Sequence, residues 1–257
     1  MEGKTALVTG AAGGIGEAVV RALGEREVKV AAVDKDGDRL RETVSKLTAD
    51  GLHVEAFVGD VTSSADVEKV VDDVERRLGP LDFLVNAAGV LRLSEARKLT
   101  DADWSFTFAV NTSGVFFVSR AVVNRMVERR RGAIVTVASN AASTARVEMA
   151  AYAASKAAAT MFTKCLGLEV AKYGIRCNLV APGSTETPML SGMWKDADVA
   201  RAASIQGVAS AYRVGIPLQR LAHPDHVAQA VVFLLSDQAS HITMHDLTVD
   251  GGAALGA

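Results

Sequence analysis

Tyr152 and Lys156 stand four residues apart in a stretch that is otherwise mostly alanine, with Ser155 and Thr160. On a helix that spacing puts both side chains on one face, their Cβ atoms about 5–6 Å apart. An ammonium beside a phenol favours the phenolate and lowers its pKa from about 10. The pair could then act as a general base near neutral pH. An ordinary surface Tyr–Lys pair would share the spacing.

A second set of residues suits a dinucleotide. Thr9-Gly10-Ala11-Ala12-Gly13-Gly14-Ile15-Gly16 lies between a β-rich run and a helical one. Glycines there let the backbone turn tightly and approach a pyrophosphate, and the helix N-terminus offers free amides. Asp34 closes the next β-rich run, where a carboxylate accepts the adenosine ribose hydroxyls and repels a 2′-phosphate. Glycine at position 13 leaves no basic side chain before Gly14, and Lys35 is the only nearby cation in sequence. NAD is therefore expected over NADP. Asp60 and Val61, at the end of the third run, are candidates to face the adenine, although Asp is also frequent in turns and caps. Asn86, Ala87 and Gly89 follow the fourth run, where small residues let a cofactor lie against the backbone; Asn86 could equally bond its own loop.

These residues need a frame, and the chain alternates strand and helix patterns. Strands are expected at Lys4 to Thr9, Val28 to Val33, Leu52 to Val58, Leu81 to Val85, Gly132 to Ala138, Ile175 to Ala181 and Asp246 to Val249. Helical rhythm marks Glu17 to Leu23, Asp38 to Leu47, Ser64 to Leu78, Asp101 to Glu128 with Asn111 inside it, Tyr152 to Ala171 and Pro224 to Leu235. Ser191 to Arg213 is a weaker, partly helical insertion. Glu128-Arg129-Arg130-Arg131 reads as a solvated helix end suited to the helix dipole. Repeated βα pairs predict an α/β, Rossmann-type, doubly wound parallel sheet with helices on both faces.

Composition narrows the class. Among 257 residues, 49% are apolar and 23% charged, which excludes general disorder. The 28 Lys plus Arg against 30 Asp plus Glu give a net charge of −2, so no basic field favours nucleic acid. Two cysteines make no disulfide framework and suit a reducing compartment. Met1 to Lys4 runs straight into Thr5 to Val8 without a signal-like apolar region, and the apolar runs fall short of the ~20 residues of a spanning helix. A soluble, cytoplasmic protein without membrane contact is expected, as one domain over 1–257. No metal is called for.

In combination these motifs resemble the short-chain dehydrogenase/reductase family along essentially the whole chain. The Gly10–Gly16 turn resembles its cofactor turn and Asn86 to Gly89 its sheet-edge motif. Asn111, Ser139, Tyr152 and Lys156 fall where that family carries its catalytic tetrad. Pro182, Gly183 and Thr187 resemble its loop on the nicotinamide side. The resemblance implies that Tyr152 takes the hydroxyl proton of an alcohol as hydride leaves the same carbon for nicotinamide. Lys156 would bond the nicotinamide ribose, Ser139 the reacting oxygen, and Asn111 a water leading from Lys156 to solvent. An intact tetrad argues against a non-catalytic dinucleotide-binding sensor or scaffold.

Further stretches are similar to the branch of the family that oxidises cyclic dihydro-aromatic acids to catechol acids for siderophores. They are Asn86 to Arg92, Ile134 to Asn140, Ala181 to Thr187, His241 to Met244, and Val249 to Gly252 with Leu255-Gly256. Arg146 matches an arginine near that branch's substrate pocket, and its fork could grip a carboxylate. Arg92 is the second candidate; either could be an ordinary surface arginine. Glu148 and Pro188-Met189-Leu190 depart from the branch's pattern on segments that should border the substrate, the latter at the start of a substrate-binding insertion expected at about 188–215. A carboxylate there would suit an amine substituent, so 2,3-dihydro-3-hydroxyanthranilate, of antibiotic pathways, is the alternative substrate. The family resemblance further implies a homotetramer or homodimer.

Overall fold

The computed structural model describes residues 1–192 and 197–256. Its frame is built from β1 (Thr5–Thr9), α1 (Gly14–Gly24), β2 (Lys29–Asp34), α2 (Gly37–Ala49), β3 (Val54–Val58), α3 (Ser64–Leu78) and β4 (Phe83–Asn86). The second half adds α4 (Asp101–Phe108), α5 (Val115–Arg129), β5 (Gly132–Val137), α6 (Ala150–Val170) and β6 (Ile175–Pro182). It continues with α7 (Pro188–Ser191), α8 (Ala197–Gln206), β7 (Gly207–Val208), β8 (Arg213–Val214), α9 (Pro224–Leu235) and β9 (Asp246–Val249). Seven strands pair in the order β3-β2-β1-β4-β5-β6-β9, every pair parallel. The chain winds outward from β1 to β3, then returns to β4 on the other side of β1. That reversal opens a crevice at the carboxyl ends of β1 and β4, where Thr9 pairs with Asn86.

Strand alternation sorts the core into two layers. Ala6, Val8, Val30, Ala32, Phe83 and Val85 pack with Val19, Leu23, Leu40, Leu47 and Val231 of α1, α2 and α9. Leu7, Ala31, Val33, Leu84 and Ile134 face the other way, onto Val67, Val71, Val74, Val118, Val122 and Leu166 of α3, α5 and α6. Caps fix where the helices begin. Ser63 accepts from the Asp66 amide to start α3, and Thr100 from the Asp103 amide to start α4.

Three features differ from the sequence expectation. The helix through Asn111 is interrupted by a π turn at Ala109–Gly114, whose apolar pattern a plain helix would share. The helical run Asp101–Arg129 is also long and apolar enough to cross a membrane by length and composition, which was not expected. More than half of its most apolar stretch is buried in the protein, as in a core helix. Lastly, the Glu128–Arg131 run is not simply solvated. Arg129 donates to Glu75 at 2.7 Å and to the Leu81 carbonyl at 3.1 Å, tying α5 to α3. The expected insertion at 188–215 contains α7, α8 and the β7–β8 ribbon; its residues 193–196 lie outside the described residues.

Candidate active site

The glycine turn and the β4 loop are joined by one buried side chain. Thr9 Oγ1 accepts from the amides of Ala87 and Ala88 at 3.1 and 3.2 Å. Gly10 has φ +67°, and a Cβ there would stand 2.7 Å from Ala88 Cα. A Cβ on Gly16 would stand 2.0 Å from the Gly10 carbonyl oxygen. Only glycine lets these two loops close this far. Helix α1 then starts at Gly14 with no side-chain cap, so its first amides are left for another acceptor.

A groove runs over this turn, lined by Gly10, Gly13, Gly14, Ile15, Gly16, Asp34, Arg39, Ala87, Gly89 and Thr187. Asp34 Oδ2 accepts from the Ala12 amide at 3.1 Å and Oδ1 from the Asp36 amide. Lys35 is not the cation beside it, because its ammonium lies over the Phe106 ring. Arg39 lines the groove instead and donates to the Ala12 carbonyl at 3.0 Å. Its place one turn into α2 was the signal available in sequence. Asp60 and Val61 line a small cleft at the end of β3, together with Val33 and Gly59. Asp60 Oδ1 accepts from the Thr62 amide and hydroxyl, both at 2.8 Å, as a turn aspartate does.

Asn86 is a correction. Its side chain donates to Ser119 Oγ at 2.9 Å and Thr136 Oγ1 at 3.3 Å, inside the layer below the groove. Strand alternation requires this, since Asn86 shares the face of Leu84. Ala87 and Gly89 do line the groove.

The groove opens into a pocket that holds Ser139, Tyr152 and Lys156 together, with Ile15, Ala87, Gly89 and Thr187 shared between the two. Ser139 ends the β5 segment in extended conformation, and its Oγ accepts from the Ala141 amide at 3.2 Å. Tyr152 and Lys156 lie on α6, with the ammonium 5.9 Å from the ring centroid. Lys156 Nζ donates to the Val137 carbonyl at 2.8 Å, and burial lowers its pKa to about 8. Desolvation raises the Tyr152 phenol, and the hydrogen bond with Ser139 works against that rise. The expected depression by Lys156 is therefore not a property of the protein alone. Asn111 is fully buried in the π turn. Its Oδ1 accepts from the Val90 amide at 2.9 Å, and its Nδ2 donates to the Val90 carbonyl and to Ser155 Oγ. That side chain is committed to the β4 loop, so a water there would need the main chain of the widened turn.

Pro182, Gly183, Thr187, Met189, Leu190 and Arg146 all line the pocket. Arg92 and Glu148 do not. The exposed Arg92 pairs with Asp103 at 3.6 Å and lies over Phe106. Glu148 is exposed with φ +63°, and its carbonyl accepts from the Ser94 amide. Sequence reading missed Arg213 and Ser204, both in the lining, because neither sits in a periodic pattern.

The groove fits a dinucleotide: free helix amides and the Asp34 carboxylate line it, and the turn between them is too crowded for a Cβ at Gly10 or Gly16. Geometry of this kind belongs to a Rossmann-type oxidoreductase that works with a nicotinamide dinucleotide. The sequence profile described as short chain dehydrogenase matches residues 4–198. 2,3-Dihydro-2,3-dihydroxybenzoate dehydrogenase of Bacillus subtilis (strain 168) is 54% identical over 256 residues, covering 100% of this chain and 98% of that protein. The protein of the same name from Escherichia coli (strain K12) is 42% identical, covering 99% and 98%. Among solved structures, a variant actinorhodin polyketide ketoreductase with NADPH aligns with TM-score 0.89 at 35% identity, covering 98% of this chain and 97% of that one. The chain belongs to the short-chain dehydrogenase family.

Proposed function

We propose that this protein oxidises the ring alcohol of 2,3-dihydro-2,3-dihydroxybenzoate, with NAD as acceptor, to give 2,3-dihydroxybenzoate. The observation that carries the substrate class is Arg146. It lines the pocket beside Ser139 and Tyr152; the Asp250 charge acts on it, but among the described residues no carboxylate forms an ion pair with it. A half-buried guanidinium whose acting carboxylate, Asp250, is already held by three other donors suits a further acid. The amino analogue loses its support, because Glu148 is exposed and outside the pocket. A non-catalytic sensor role has no residue to recommend it while Ser139, Tyr152 and Lys156 meet in one pocket.

In this reading Tyr152 Oη takes the proton of the substrate hydroxyl, and Ser139 orients that oxygen. Lys156 Nζ holds the nicotinamide ribose and adds a positive charge near the phenol. Asp34 receives the adenosine ribose hydroxyls, while Gly14, Ile15, Gly16, Ala87, Gly89, Pro182, Gly183 and Thr187 cradle the rest. Asp60 and Val61 flank the adenine. When bound, the oxidised nicotinamide supplies the hydride acceptor and a further positive charge beside Tyr152. Loss of hydride and proton leaves a ring ketone, which tautomerises to the catechol. That aromatisation makes the oxidative direction dominant.

The chain works as one dehydrogenase domain in the cytoplasm. Assembly into a homotetramer or homodimer is proposed on the outer faces of α5 and α6, where Phe116, Met161 and Leu168 are exposed. Steady-state kinetics with the dihydroxy acid, the amino analogue and the neutral dihydrodiol test the assignment. Highest kcat/KM on the dihydroxy acid supports it; highest kcat/KM on another of the three overturns it.

A further inference from the structure

Arg213 reaches the pocket from a part of the chain unrelated to the catalytic helices. It sits on β8, whose antiparallel partner β7 directly continues α8. One guanidinium nitrogen donates to Ser184 Oγ at 2.9 Å, tying this ribbon to the loop that follows Gly183. The other donors have no hydrogen-bond partner among the described residues, and a guanidinium carries five. Arg146 comes from the loop between β5 and α6 and is close enough for the two cations to repel. Burial, then Arg146, lowers the pKa of Arg213.

The protein does little to neutralise this pair. Asp250 is the carboxylate that acts on Arg146. Its oxygens already accept from Asn140 Nδ2 at 3.1 Å, the Gly252 amide at 2.8 Å and the Ala254 amide at 2.8 Å. A third donor lies in the same wall. Ser204 of α8 is 1% exposed, and its hydroxyl has no partner among the described residues. Two partly desolvated like charges and an orphaned hydroxyl cost free energy in the free protein. A bound carboxylate, with about four lone-pair sites, would pair with both guanidinium groups and cancel the repulsion.

We propose that Arg213, carried by the β7–β8 ribbon, is the second arm of the substrate carboxylate site, alongside Arg146. The proposal rests on the reading that the substrate is a ring acid. It makes the ribbon a specificity element: a substrate without the carboxylate leaves the two cations unpaired.

The test compares kcat/KM for 2,3-dihydro-2,3-dihydroxybenzoate and for the same dihydrodiol lacking the carboxylate. The proteins are the parent, Arg213→Ala, Arg213→Lys, Arg146→Ala and the double alanine variant. Arg213→Ala should lower kcat/KM on the acid at least tenfold, chiefly through KM, and change the neutral diol less than threefold. Arg213→Lys should recover part of the loss, since it restores charge but not the fork. On the acid, the double variant's loss should depart from the product of the single losses; on the neutral diol it should match that product. A parent without preference for the acid would overturn the substrate reading itself. A parent that prefers the acid, with Arg213→Ala retaining that preference, would overturn only the role of Arg213. Equal losses on both substrates would mark a structural residue and overturn it too.

Discussion

At single residues, function depends on where charge and protons sit. Tyr152→Phe removes the proton acceptor while keeping the ring that packs on α6. Turnover should fall by about 10²–10⁴-fold, with cofactor affinity kept, and titration of NADH fluorescence beside steady-state rates checks both. Lys156 yields a prediction about pH. Burial depresses its pKa from 10.5 to about 8, so the cost of the buried charge is present in full below pH 8. Between 8 and 10.5 the unfolded chain keeps the proton that the folded one has lost, and stability rises with pH. The stability difference between the parent and Lys156→Met should therefore move in the parent's favour across that window. Cys177, pushed up to about 12 by burial, acts in the opposite sense but equally in both proteins. A difference that stays flat in denaturant titrations would contradict the assigned shift. Asp34 and Arg39 form a third test. Asp34→Ala should raise kcat/KM for NADP by about tenfold or more, the scale of one charge-assisted hydrogen bond. Adding Arg39→Ala should remove that gain, because Arg39 is the cation in the groove.

At the scale of elements, the sheet's strand-order reversal makes the site, and small side chains hold its loops. Thr9 spans β1 and β4 by accepting two amides at a position 2% exposed. Thr9→Val keeps the shape and strands both donors, so stability should fall by about 1–3 kcal/mol. Cofactor affinity should fall with it, measured by calorimetric titration with NADH. Strand and helix placement was legible because buried parallel strands and amphipathic helices leave periods of two and 3.6 in the chain. The Tyr152–Lys156 face and the glycine turn were legible for the same reason: each is a local spacing. The π turn at Asn111 was not, because one extra residue in a helical turn leaves the apolar pattern almost unchanged. The inward turn of Asn86 was legible in principle from the face it shares with Leu84. Arg39 was equally within reach, in the first turn of α2 just after Asp34 ends β2. Arg213 was beyond such reasoning, since a two-residue strand inside an irregular insertion has no period to read.

At the scale of the whole molecule, two layers of aliphatic side chains clamp one parallel sheet, and everything chemical collects at its carboxyl edge. The groove over the glycine turn and the pocket of Ser139, Tyr152 and Lys156 share Ile15, Ala87, Gly89 and Thr187, so molecules bound in the two would meet beside these residues. Arg146 and Arg213 line the pocket while the molecule as a whole carries a net charge of −2, so the proposed selectivity for an acid would be a property of the site. The central claim is hydride transfer from the ring carbinol carbon of a dihydro acid to nicotinamide. Incubating the protein with NAD and 2,3-dihydro-2,3-dihydroxybenzoate deuterated at that carbon, then recording mass spectra of both products, tests it most directly. Deuterated NADH and 2,3-dihydroxybenzoate without the label are expected, both formed far more slowly by Tyr152→Phe. Unlabelled NADH, or no catechol acid formed from this substrate, would contradict that claim.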